Sequence, residues 1–155
     1  MKESQWELIE FGKHNYDVLI SEAGAKPLTE EEDRSFVSFV KSLQIVKTSF
    51  IDWGHGRLLN YISVETADRF IDCDEYLVAM FRDLGVRLDD VMIVGWRDQW
   101  ESIEIGVGEA LKYAPQMIFV GQGMVALGKD RHWIVEYASD RRLYGATILP
   151  DNKVL

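Results

Sequence analysis

Beyond Asp90 a series of short apolar or alternating segments follows, with connections too short for a parallel crossover, and this spacing limits the fold more than any other feature. Val91–Val94 is a continuous apolar run suited to a buried strand. Ile103, Ile105 and Val107 alternate with Glu104 and Gly106, and Met117–Val120 is another apolar run. Met124–Leu127, His132–Ala138 and Leu143–Leu149 come next, broken by the turn-forming Gly128-Lys129-Asp130 and Ser139-Asp140-Arg141. A parallel pair needs a crossover of about a dozen residues or more, so these strands must neighbour one another antiparallel, as a C-terminal β-meander. Glu109–Tyr113 has room for one or two helical turns among them.

The first half reads differently. Thr29-Glu30-Glu31-Glu32 has the arrangement of a capping box, and Phe36, Phe39, Val40 and Leu43 repeat at helical spacing behind it, which predicts a helix from about Glu30 to Ile45. Ser63 is a candidate N-cap for a second helix from about Val64 to Leu84. In it Phe70, Cys73, Leu77, Phe81 and Leu84 share one side and Glu65, Asp68, Asp72 and Glu75 the other, with Gly85 at the C-cap position. Gln5–Ser21 reads as a β-hairpin turning at Gly12-Lys13-His14-Asn15, although a helix also accommodates its first part. Ser49–Ile62 is ambiguous, with Leu58–Ile62 as a short strand. The expected architecture is therefore a single α+β domain over residues 1–155, two amphipathic helices packed on a mainly antiparallel sheet.

Composition narrows the classes of function. Hydrophobic residues at 47% and charged residues at 28% suit a packed core, which a chain of 155 residues can build without staples. Cys73 is the only cysteine, so no internal disulfide forms, and as a thiol on an apolar helix face it is expected to be inert. With no run of apolar residues long enough for a span and no basic-then-apolar leader, the expected setting is the cytoplasm, away from membranes. Seventeen Lys and Arg against 26 Asp and Glu leave a net charge of −9, which repels nucleic-acid backbones. The charge is uneven: residues 1–110 carry 11 basic and 22 acidic side chains, residues 111–155 carry 6 and 4.

The motifs for chemistry are sparse. Gly121-Gln122-Gly123-Met124-Val125-Ala126 has the glycine spacing of a dinucleotide fingerprint, but a strand-like segment follows where that motif needs a helix, so glycines at a turn or bulge are expected and no cofactor is implied. His14, His55 and His132 are scattered, without the spacing of a metal site. Asp52 and His55, three residues apart in a glycine-containing loop flanked by Trp53 and Tyr61, are the best candidates for a carboxylate-oriented general base. Lys129 and Arg131 are expected at the opposite end of a strand from Arg141 and Arg142.

The expected function is accordingly binding without catalysis. Glu65, Asp68, Asp72 and Glu75, joined by Glu30, Glu31, Asp89 and Asp90, would form a negative surface that steers a basic protein, in the manner of an inhibitor or of an immunity protein that neutralises a basic toxin such as a nuclease. The alternatives are a small hydrolase-type enzyme using Asp52 and His55, and a homo-oligomeric domain, a dimer for instance, that hides its tryptophans in an interface or binds a small ligand.

Overall fold

The computed structural model describes residues 2–43, 51, 53, 56–65, 73–96, 100–121, 123–138 and 142–149. Its elements are α1 (Lys2–Ser21), β1 (Lys26–Pro27), α2 (Glu30–Ser42), β2 (Leu58–Glu65), α3 (Cys73–Asp83), β3 (Val91–Trp96), β4 (Ile103–Gly106), α4 (Val107–Lys112), α5 (Ala114–Ile118), β5 (Met124–Gly128), β6 (Trp133–Tyr137) and β7 (Arg142–Ile148). The strands form one seven-stranded sheet in the order β1-β4-β3-β5-β6-β7-β2, with every neighbouring pair antiparallel. The fold class is α+β.

The central strands are apolar on both faces because helices lie on both sides. Met92, Val94, Met124, Ala126, Trp133 and Val135 point into one core with α1, α3, α4 and α5. Ile93, Val125, Leu127, Ile134, Ala146 and Ile148 point into a second, smaller core beneath α2. An antiparallel sheet buried on both faces reads as continuous apolar runs rather than as clean alternation. The last three strands, β5, β6 and β7, are successive neighbours, as their short connections require.

Helix α2 begins as its capping box demands. The Thr29 hydroxyl accepts from the Glu32 amide at 3.2 Å, and the Glu32 carboxylate accepts from the Thr29 amide at 2.9 Å. Hydrogen bonding to the carboxylate from the Thr29 amide, then from the Thr29 hydroxyl, with the charge of Lys129, holds the Glu32 carboxyl below its ordinary range. Gly85 closes α3 with φ of 76°, the left-handed geometry of a C-cap glycine.

Three expectations are corrected. Gln5–Ser21 belongs to α1, not to a hairpin. Its buried residues from Glu10 onward are Gly12, Asn15 and Leu19, so a small residue and an amide stand where large aliphatics would have announced helical spacing. Asn15 is 3% exposed and donates to the Phe119 carbonyl at 2.9 Å, and at Gly12 the Val120 carbonyl oxygen lies where a Cβ would be. Residues read as a turn are thus the points where α1 meets the chain after α5. Second, Ser63 does not cap a helix: Ser63, Val64 and Glu65 pair with Tyr144, Leu143 and Arg142 on β7, and α3 starts at Cys73. Third, the apolar run at Met117 lies in and just after α5, and Val107 opens α4 instead of prolonging a strand.

Candidate binding surface

Strand β2 carries one extra residue. Leu58 faces Ile148 and Ile62 faces Gly145, so four steps on β2 match three on β7. Asn60 absorbs the surplus with φ of 55°, a left-handed conformation that asparagine tolerates better than most residues, and its side-chain amide donates to the Thr147 hydroxyl at 3.0 Å. The bulge exchanges the faces of the strand. Leu58 packs in the core beneath α2, whereas Ile62 and Val64 pack against the opposite core. Ser63 and Glu65, opposite Tyr144 and Arg142, therefore stand on the face that carries α2.

This face is only partly covered. At about 4.8 Å between strands, seven strands span roughly 29 Å, while a helix of α2's 13 residues is about 20 Å long and about 10 Å wide. On this face Trp53, Tyr61 and Tyr144 come together, with Trp53 packed against the core beneath α2. Trp53 and Tyr144 have ring centroids 5.5 Å apart and planes within 18°, Tyr61 and Tyr144 are at 6.4 Å and 17°, and Trp53 and Tyr61 at 5.9 Å and 34°. In a linear pile of three rings the outer two would be about twice as far apart as neighbours. Here the separations are nearly equal, so the three centroids form a compact triangle, an aromatic platform in which Trp53 and Tyr61 are each stacked on Tyr144. Tyr61 is 50% exposed, and Trp53 and Tyr144 are partly so.

A carboxylate supports the platform. Glu136, on β6 opposite Tyr144, is only 2% exposed, and its Oε1 accepts the Trp53 indole N–H at 3.3 Å. At the margin, the Arg142 guanidinium donates to the Ser63 hydroxyl at 3.1 and 3.3 Å and lies 3.8 Å from the Glu65 carboxylate. Further along the same face, Phe39 of α2 has two guanidinium groups over its ring, Arg131 at 4.6 Å and Arg57 at 5.4 Å, and Arg131 also donates to the Ser35 hydroxyl at 2.7 Å.

Of the acidic residues singled out from the sequence, the described ones stand on different elements. Glu65 lies on edge strand β2 beside Arg142, while Glu75 lies on α3, in the layer on the other side of the sheet. Asp68 and Asp72 fall outside the described residues, as do Asp52 and His55. Asp89 is bound by Arg87 at 3.1 Å, the Asp90 carboxylate accepts from the Arg87 amide at 2.9 Å, and Glu30 lies 3.5 Å from Arg34. Glu31 is exposed in the first turn of α2.

A second, looser grouping does form. Asp90, Val91, Lys129, Asp130 and Trp133 line an open recess of about 260 Å³ at the opposite end of β6 from Arg142. Lys129 bonds Glu104 at 2.8 Å, and this bond, the charge of Glu104 and that of Glu32 hold its ammonium above the ordinary lysine range. Much of the negative potential there is already answered by Lys129. Gly121 and Gly123 lead into strand β5 and not into a helix. Among the described residues no cluster of three or more His, Cys, Asp or Glu is arranged for a metal ion, and no helix is long and apolar enough to cross a membrane.

Compared with known protein families and with curated proteins, the chain matches no family model and no curated sequence. Trp53 and Tyr61 were singled out in the sequence as the aromatic residues flanking Asp52 and His55; Tyr144 and Glu136 were not, because only the pairing of β6, β7 and β2 brings them there.

Proposed function

We propose that this chain is a binding domain, without catalysis of its own, that takes a basic protein through the Trp53–Tyr61–Tyr144 platform. The supporting observation is an exposed aromatic surface in a molecule of net charge −9. With its carboxylates spread over the sheet edge, α2 and α3, the molecule attracts cations as a whole, and the platform supplies the short-range contact that charge alone does not. An inhibitor of the immunity type, neutralising a basic toxin in the cytoplasm, is the most specific form of this function; nucleic acid and membrane are not its partners. Capture of a partner from the native cytosol, repeated over a salt series, tests it. Retention that weakens with salt and falls on Tyr61→Ala supports the function, and retention indifferent to both contradicts it.

One observation favours a small hydrolase instead. Trp53, one of the two residues between Asp52 and His55 in the sequence, is bonded to the buried Glu136 carboxylate. A His55→Ala variant that behaves like the parent in a broad hydrolase screen removes this alternative. The exposed Leu59 and Tyr61 on edge strand β2 equally suit a homodimer, which sedimentation over a concentration series detects.

A further inference from the structure

We propose that the recess between the β5–β6 turn and the start of β3 is a second binding site, which takes a small uncharged ligand rich in hydroxyl groups, a monosaccharide or a similar polyol. It is separate from the aromatic platform and independent of the basic-partner function.

The Trp133 indole is the deciding group. The residue is only 5% exposed, and its ring meets Phe81 edge-on at 5.2 Å in the layer of α3. Trp53 and Trp96 spend their indole N–H groups on Glu136 and on the Met117 carbonyl. The Trp133 N–H bonds no other group of the protein, and since no sealed side-chain N or O among the described residues lacks a hydrogen-bond partner, this N–H opens to the outside. Gly128 shows where it opens. A Cβ there would fall 2.6 Å from Nε1, 2.9 Å from Cε2 and 3.0 Å from Cδ1, so the N–H edge of the indole lies over the glycine, beside Lys129 and Asp130. With these two, Asp90 and Val91, Trp133 lines the recess of about 260 Å³, a volume that admits only a small molecule.

The chemistry of the lining selects the occupant. An indole N–H only donates, so the ligand must present an acceptor. Asp90 asks for the opposite: its carboxylate accepts from the Arg87 amide at 2.9 Å, makes no ion pair among the described residues, and has lone pairs left for a donor. Asp130 is engaged by the His132 amide at 3.3 Å and by His132 Nδ1 at 3.2 Å, and Lys129 is held by Glu104 at 2.8 Å. An anion would therefore meet Asp90 and Asp130 and find the ammonium already paired. A bare cation has no acceptor for the indole. A hydroxyl accepts and donates through one oxygen, and a ring carrying several satisfies Trp133 and Asp90 at separate points with its C–H groups against Val91.

The test follows the Trp133 indole signal of the full nitrogen-15-labelled chain during titration with D-glucose, D-mannose, D-galactose and myo-inositol. At least one is expected to move it saturably while the Trp53 signal stays in place. The same ring is then compared with its charged counterparts, glucuronate for glucose or galacturonate for galactose and the matching amino sugar, and the acid is expected to bind about fivefold or more weakly. Asp90→Asn, whose side-chain oxygen can still accept from the Arg87 amide, should weaken the neutral ligand by about fivefold and narrow the gap to the acid. No saturable movement with any of the neutral probes, an acid or an amino sugar that binds more tightly than the neutral ring, or an Asp90→Asn protein that binds like the parent overturns the proposal.

Discussion

Replacing Gly12 by alanine should weaken this protein, although the same change in an ordinary helix interior stabilises by about 1 kcal/mol. The added methyl would overlap the Val120 carbonyl oxygen and come within 3.3 Å of the Val120 carbonyl carbon and 3.4 Å of Trp100 Cζ2. None of these atoms can move alone. The Asn15 amide bonds the adjacent Phe119 carbonyl at 2.9 Å, and Trp100 stacks on Tyr16 at 5.2 Å, so α1 must lift from the chain after α5 or strain both contacts. Overpacking of a tight contact costs about 1–3 kcal/mol, and weakening the buried Asn15 bond adds about 1 kcal/mol. Set against the helix preference, the net loss is about 2 kcal/mol. For a domain of this size that lowers Tm by roughly 4–8 °C and moves the urea midpoint down by about 1 M. Far-UV circular dichroism through a urea series reads both variants. A Gly12→Ala protein as stable as the parent, or more so, would refute the close approach of α1 to Val120.

The remaining predictions concern the bulge, the cap and the alkaline limit. Asn60→Val, a β-branched residue forced to φ of 55°, should cost about 1–2 kcal/mol in thermal melting, and Asn60→Gly should stay near wild type; parity between the two would contradict the bulge. Thr29→Ala removes the cap of α2 and should cost about 1 kcal/mol by urea unfolding, while an unchanged midpoint would mean that α2 is held by packing alone. Burial, then the charges of Glu101 and Asp17, push the Tyr16 phenol up to about 12 from its ordinary 10.0. Between those values the folded state keeps a proton that the unfolded chain has lost, so stability is full below pH 10 and falls as pH rises toward 12. Tyr16→Phe should have a flatter stability profile above pH 10, and an identical slope would contradict it.

Much of the sheet was legible because it depends on local spacing. Short connections from β3 to β4 and from β5 through β7 leave antiparallel pairing as the only geometry there, whereas the connection from β4 to β5 holds α4 and α5 and sets β5 beside β3; β3, β5, β6 and β7 lie where their apolar runs lie. The cap of α2 and the glycine after α3 were legible for the same reason, since each motif is closed within a few residues. What was hidden depended on tertiary contact. Gly12 and Asn15 look like a turn until Val120 and Phe119 are set against them. Val64 and Glu65 fit a helix wheel as well as a strand, and β7 decides between the two by pairing with them. The platform was the least accessible feature, because Trp53 and Glu136 are 83 positions apart and a one-residue bulge sets the face on which β2 presents its side chains.

The central claim is that contact with a basic partner is made on the α2 face, at Trp53, and its most direct test is the indole N–H signals of the tryptophans in a nitrogen-15 NMR titration with hexa-arginine. The Trp53 signal should move, while that of Trp96, whose indole donates to the Met117 carbonyl at 2.9 Å in the opposite layer, should stay in place. A shifting Trp96 beside a stationary Trp53 would place the contact on the wrong side of the sheet.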